Sequence, residues 1–355
     1  MSLTDHLSAR IQADGPMSVA DYMGDCLLHP QLGYYTTRDP LGAKGDFTTA
    51  PEISQMFGEL LGLALAQAWI SQGSPAPFTL AELGPGRGTL MADLLRATRG
   101  VPGFHTAMQI HLVEASPALR AVQTKTLDGH APEWLDTVNA LPQQPLFLVA
   151  NEFFDALPIR QFVRSGDHWS EKRIGLKEGA LCFGLTPAAP QPALEHRLAD
   201  TSEGDLVELC ESAAPITAAI AARIAADGGA ALIVDYGDWR ALGDTLQALR
   251  AHQPADPLQA PGQADLTAHV DFEALALAAK SEGCAFTRLT PQGVFLERLG
   301  ITDRARALAP PLQGEALENL ISAHRRLTHP DEMGNLFKVL GLYPSQAAPP
   351  PGLNP

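Results

Sequence analysis

Three glycines at alternate positions behind a carboxylate, Glu82-Leu-Gly84-Pro-Gly86-Arg-Gly88, point most directly to chemistry in this chain. Glycine lets a ligand come close to bare backbone and turns the chain without a Cβ penalty. The turn follows an apolar run, Phe78 to Leu83, and precedes a stripe of Leu90, Leu94 and Leu95. It therefore reads as a strand-to-helix junction, the place where open α/β sheets hold the polar end of a ligand. The spacing is E-x-G-x-G-x-G; a dinucleotide fingerprint, G-x-G-x-x-G, would need its third glycine where Thr89 stands. An acid two residues ahead of the first glycine suits a ligand with a positively charged amino group. A second acid, Glu114, ends the apolar run Gln109-Ile-His-Leu-Val-Glu114. At the tip of a neighbouring parallel strand, a carboxylate can accept both hydroxyls of a ribose. The bland alternatives are a ligand-free turn and a helix-capping Glu114, but Ser116-Pro117 already supplies that cap. A third polar group, Asn151-Glu152-Phe-Phe-Asp155, follows the apolar run Pro145 to Ala150.

A nucleoside with an amino-acid end describes S-adenosylmethionine, and the glycine spacing resembles the first motif of Rossmann-like methyltransferases. The elements that must position these groups alternate. Strands are expected near residues 78–83, 109–114, 134–138, 145–150, 230–237, 285–290 and 335–342, with a long helix from about Glu52 to Ile70 and others at 206–226, 272–283 and 315–328. Alternation of this kind predicts an α/β fold, a parallel sheet with helices on both faces. The final strand returns antiparallel in this reading, and ligands bind at the switch point between the first and fourth strands. Two amphipathic N-terminal helices, an antiparallel meander over 160–185 and a loop-rich stretch over 237–270 exceed that plan and are expected to cover the cofactor. The division expected is an N-terminal segment with a cofactor-covering loop (1–51), two halves of the core (52–158 and 206–343), an inserted meander (159–205) and a disordered tail (344–355).

Composition excludes several classes. The net charge of −15 argues against a nucleic-acid surface, which needs clustered Lys and Arg, and is compatible with a basic protein substrate. The four cysteines are far apart with no C-x-x-C or Cys/His cluster, so no metal site is expected. No apolar run is long enough to span a bilayer. The first 25 residues hold Arg10 against Asp5, Asp14, Asp21 and Asp25, unlike an Arg-rich presequence, and this predicts a cytoplasmic protein.

Five motifs occur in order: Gly45-Asp-Phe-Thr-Thr-Ala-Pro-Glu-Ile-Ser54, Glu82 to Leu90, Ala150-Asn-Glu-Phe-Phe-Asp-Ala-Leu-Pro158, Val234-Asp-Tyr-Gly237 and Ala264-Asp-Leu-Thr-Ala-His-Val-Asp271. Together they resemble the MidA-type family of S-adenosylmethionine-dependent protein arginine methyltransferases, from about residue 3 to residue 343. The resemblance implies a Rossmann-like, seven-stranded class I methyltransferase sheet with N-terminal helices and inserted lid segments. It implies S-adenosylmethionine as cofactor and an arginine-bearing protein substrate of the respiratory complex I type; a homodimer is compatible with it. It also implies that Asp46 and Thr48 contact the cofactor from a covering loop, beside Glu82, Gly84, Gly86, Gly88 and Glu114. Asn151, Glu152 and Asp155 are the catalytic candidates. Carboxylates there can hold a guanidinium in a two-pronged fork and stabilise positive charge during an in-line transfer. Either acid could instead cap a turn, and Asp235-Tyr236 is either substrate lining or ordinary turn chemistry. The double-glutamate hairpin of the better-known arginine methyltransferases is absent. Small-molecule methylation and a cofactor-binding assembly role are the alternatives; nicotinamide redox chemistry is disfavoured by the glycine spacing.

Overall fold

In a computed structural model, residues 2–37, 49–250 and 252–355 are described. The chain divides into two units, one of residues 48–154, 214–239 and 271–355, the other of the N-terminal segment, 155–213 and 240–270.

The first unit carries the central sheet. Seven of its nine described strands form one continuous path: β1 (Phe78–Leu83), β2 (Met108–Val113), β3 (Glu133–Leu135), β4 (Leu146–Asn151), β5 (Gly229–Asp238), β6 (Cys284–Phe286) and β7 (Phe337–Pro344), in the order β6-β7-β5-β4-β1-β2-β3. β1 pairs in parallel with β2 and with β4, while β7 runs antiparallel to both β5 and β6. The order thus reverses between β1 and β4, which places a switch point at the carboxyl ends of those two strands. All six residues of β1 and of β4 are buried, the unbroken pattern of strands covered on both faces.

Helix Gln55–Ser71 packs beside helix Thr89–Thr98, which follows the glycine turn. A Cβ on Gly58 would lie 2.8 Å from Asp93 Cβ, and one on Gly62 2.7 Å from Leu94 Cγ and 2.9 Å from its Cα. Glycine at both positions is what lets the two helices approach this closely. The long helix expected from Glu52 is broken: Ala50–Ile53 ends at Ser54, which accepts the Met56 N–H and starts the second helix. Trp69, Phe78, Phe104 and Phe147 form a chain of ring contacts with centroids 5.0–5.7 Å apart. Glu59 is buried and takes hydrogen bonds from Arg96 at 3.0 Å and Arg304 at 2.8 Å. Burial alone would raise its pKa, but these two guanidinium groups hold it below the ordinary value.

Residues 344–355, expected to be disordered, instead pack. Leu353 is buried in the core with Phe295, Asn354 accepts the Arg288 N–H at 2.9 Å, and the Gly352 carbonyl accepts Arg298 at 3.1 Å. The proline-rich composition hid a single apolar anchor.

In the second unit, Arg160–Ser165, His168–Lys177 and Ala180–Leu185 form an antiparallel meander extended by Leu206–Leu209 and by Met17–Ser18. Helices Leu3–Asp14 and Val19–Leu28 bury Leu7, Tyr22 and Met23 against Ile174 and Leu266. The stretch 237–270, expected as loop, contains a three-stranded sheet of Gln247–Arg250, Gln253–Ala255 and Asp265–Thr267. Strands this short carry too few alternations to show in the sequence. Among the described residues, no helix is long and apolar enough to cross a membrane.

Candidate functional site

The glycine turn leaves the carboxyl end of β1 with Gly84, Gly86 and Gly88 at φ +57°, +53° and +81°. All three occupy the left-handed region that glycine adopts without strain. A Cβ on Gly84 would come within 3.0 Å of the Phe153 ring. The turn is anchored by the Gly84 N–H to the Val113 carbonyl at 3.0 Å, so the ends of β1 and β2 are held together.

Glu82, the penultimate residue of β1, is 3% exposed, and its Oε2 has no hydrogen-bond partner among the described residues. Burial raises its carboxyl to about 8, against a hydrogen bond from the Met91 backbone, and the nearby charge of Glu114 adds to the rise. An orphaned, buried carboxylate oxygen is costly unless a donor reaches it. A ligand ammonium group is such a donor.

Glu114, just beyond β2, is also buried, and burial raises its pKa. Its Oε1 accepts the Ser116 N–H at 2.7 Å and its Oε2 accepts Gln123 Nε2 at 3.1 Å. A carboxylate has about four acceptor positions, so these two bonds orient Glu114 and leave capacity for a diol. Ser116 caps helix Pro117–Thr126 through its own side chain, which accepts the Leu119 N–H. The residues present therefore fit S-adenosylmethionine: bare backbone, an acid lacking a donor and an oriented second acid.

At the end of β4, Asn151 Nδ2 donates to Glu152 Oε1 at 3.0 Å, and Glu152 Oε1 also accepts the Ala50 N–H at 3.1 Å. Asn151 Oδ1 is buried with no hydrogen-bond partner among the described residues. Glu152 has φ +51°, one of four non-glycine residues in the left-handed region among the described residues, and its N–H donates to the Val234 carbonyl at 2.9 Å. A non-glycine residue held there costs of order 1–3 kcal/mol, and such strain gathers at functional sites.

Asp155, grouped with Asn151 and Glu152 by sequence, belongs to the second unit. Its carbonyl accepts the Ala268 N–H at 3.0 Å, and its charge helps raise the pKa of Tyr35, whose hydroxyl donates to Asp265 Oδ1 at 2.8 Å. Burial is the larger cause of that rise. Asp235 resolves towards turn chemistry: its oxygens accept the Phe154 N–H at 3.0 Å and the Tyr236 N–H at 2.9 Å. It clamps the turn that follows β4. Asp46 and Thr48 lie outside the described residues. Gln123 escaped the sequence reading; it stands one helical turn after Leu119 on the inward stripe, and an amide on an apolar stripe was the available signal.

Comparison with known proteins agrees with this geometry. A sequence model of the family described as "Putative S-adenosyl-L-methionine-dependent methyltransferase" matches residues 60–290. The zebrafish (Danio rerio) protein arginine methyltransferase NDUFAF7, mitochondrial, is 39% identical, the match covering 96% of this chain and 86% of that one. The Homo sapiens protein of the same name is 36% identical over 96% and 83%. A crystal structure from Burkholderia thailandensis, bound to S-adenosyl-homocysteine, superposes with a TM-score of 0.84 at 30% identity, over 96% of this chain and 91% of that one.

The mitochondrial names of these relatives overturn the cytoplasmic expectation. The acids that prompted it have local work. Asp5 and Asp21 complete capping boxes with Ser2 and Ser18, and Asp25 pairs with Arg10 at 2.7 Å. With nearly its whole length matched and its glycine turn, paired acids and sheet order in place, the chain belongs to the S-adenosyl-L-methionine-dependent methyltransferases and is an enzyme of that kind.

Proposed function

We propose that this enzyme is a protein arginine N-methyltransferase. The observation that carries the reading is the near-complete match to proteins named as protein arginine methyltransferases. The end of β4 supports it chemically. A guanidinium offers five N–H donors and no acceptor, so it needs a site made of oxygen acceptors. Asn151 Oδ1 and the Glu152 carboxylate are such acceptors, side by side on the chain.

When bound, S-adenosylmethionine would supply an electrophilic methyl group on a sulfonium whose sulfur keeps the electron pair of the broken bond. In this reading Glu82 holds the cofactor's ammonium, Glu114 its ribose, and Gly84, Gly86 and Gly88 keep side chains out of its path. Asp46 and Thr48 are proposed as further contacts on the family resemblance alone. Asn151 and Glu152 hold the guanidinium so that one nitrogen faces the transfer, and the Glu152 carboxylate offsets its charge and takes the N–H proton that the nitrogen gives up as its bond to carbon forms. Asp155 is proposed as a second carboxylate from its place in the motif. The substrate is proposed to be a complex I type subunit and the assembly a homodimer, the latter read by light scattering.

The test is incubation with methyl-labelled cofactor and matched arginine and lysine peptides, followed by peptide mapping. Label on arginine nitrogen is expected. Label confined to a small guanidino compound, or to lysine, overturns the proposal.

Glu82 makes the cofactor side testable by pH. Its folded carboxyl, pushed up to about 8, lies above its ordinary value of 4.5. A raised folded value stabilises the fold below about pH 4.5, and that contribution is lost as pH rises towards about 8. Pairing with an ammonium requires the carboxylate, so binding near pH 7 should release close to one proton from Glu82. Calorimetry in two buffers of different ionisation heat measures this. Glu82→Gln should cut the release to near zero; an unchanged release would take Glu82 out of the ammonium site.

A further inference from the structure

Gln123 is fully buried, and its side-chain amide ties together three separate segments. Nε2 donates to the Gly86 carbonyl at 2.8 Å and to Glu114 Oε2 at 3.1 Å, while Oε1 accepts the Trp134 indole N–H at 2.8 Å. Indole nitrogen only donates, so Trp134 fixes which end of the amide faces the turn and the acid. The glycine turn also rests on this residue: a Cβ on Gly88 would lie 3.6 Å from Gln123 Cα and Cγ. A purely packing contact at this place would be met by an apolar side chain, as Leu119 meets it one turn earlier. A buried amide is unfavourable unless it makes its bonds, and the bonds made here go to the turn and to the acid that flank the ligand.

We propose that Gln123 is a positioning residue for the cofactor, its amide coupling the glycine turn to Glu114 and so setting the distance between the ammonium and ribose subsites. The proposal rests on Glu114 as the ribose acceptor. Gln123 acts in it by holding other groups, as supporting hydrogen bonds hold any binding constellation in register. Loosening it lets Glu114 turn away from the diol, so affinity and ribose discrimination fall together.

The experiment is titration of S-adenosylhomocysteine, and of its 2′,3′-dideoxy analogue, into the wild type, Gln123→Met, Glu114→Ala, the double variant and Trp134→Phe. Gln123→Met is expected to weaken S-adenosylhomocysteine about tenfold. It should also narrow the preference over the dideoxy analogue, and it should add little in the Glu114→Ala background, because both changes remove one coupled interaction. Trp134→Phe leaves Gln123 in place but frees its amide to turn, and should shift affinity and discrimination in the same direction by a smaller factor. This variant carries the test if Gln123→Met does not fold. Unchanged affinity in a folded Gln123→Met or Trp134→Phe overturns the proposal, as does full additivity of Gln123→Met with Glu114→Ala. Unchanged affinity and discrimination in Glu114→Ala alone would instead overturn the ribose reading beneath it.

Discussion

Glu152→Gln should lower methyl transfer to an arginine substrate by about 10²–10³, the loss typical of removing one preorganised electrostatic group, while leaving cofactor affinity and melting temperature nearly unchanged. The geometry makes this substitution a clean one. Both the Ala50 N–H and Asn151 Nδ2 donate to the same oxygen, Oε1. A glutamine can place its amide oxygen there, keep both bonds, and alter only the other end of the group. If Glu152 served solely to hold the turn after β4, the variant would be as active as the parent. A cofactor ligand would instead show weakened binding. Single-turnover methyl transfer and direct cofactor titration on one preparation separate the three roles. The left-handed backbone at Glu152 provides a second reading: Glu152→Gly relieves strain of order 1 kcal/mol but removes the acceptor of the Ala50 N–H and Asn151 Nδ2, so activity should be lost with little net gain in melting temperature.

The other large effect is expected at the glycine turn. Gly86 sits at φ +53°, where a β-branched side chain is strongly disfavoured, and its carbonyl is held by Gln123. Gly86→Val should abolish measurable binding of S-adenosylhomocysteine, a loss of at least about 100-fold, because the turn must either carry a side chain where backbone meets ligand or leave its conformation. Circular dichroism should show the sheet intact, since β1 and β4 are secured by their own pairings and by the aromatic contacts around Phe78. Wild-type-like affinity in calorimetry would remove this turn from the binding site. A fully unfolded variant would show that the turn is a structural element first.

Much of the core was legible because its signals are local. A six-residue apolar run, three alternate glycines and a leucine stripe report β1, the turn and the following helix, since each depends on neighbours a few positions away. Paired acids at the ends of two successive strands are legible as candidates for the two ends of one ligand for the same reason, once a parallel sheet is inferred from alternation. The final antiparallel strand and the seven-strand plan followed from that inference and the family resemblance.

What the sequence left open was decided by contacts between residues far apart in the chain. Asp155 and Asp235 carry the same side chain after similar apolar strands, yet Asp235 accepts the backbone N–H groups of Phe154 and Tyr236 whereas the charge of Asp155 acts on Tyr35. No local pattern distinguishes them. Gln123 reads as an ordinary helical glutamine until folding brings Gly86, Glu114 and Trp134 around it. Leu353 reads as part of a proline-rich tail until Phe295 gives it a place to bury. Sequence by itself determined the main strands of the central sheet, the glycine turn and the chemical kind of ligand, because propensity, periodicity and backbone freedom act over a few residues. Tertiary structure alone decided which hydrogen bonds each acid makes, because the donors that reach a carboxylate arrive from anywhere in the chain.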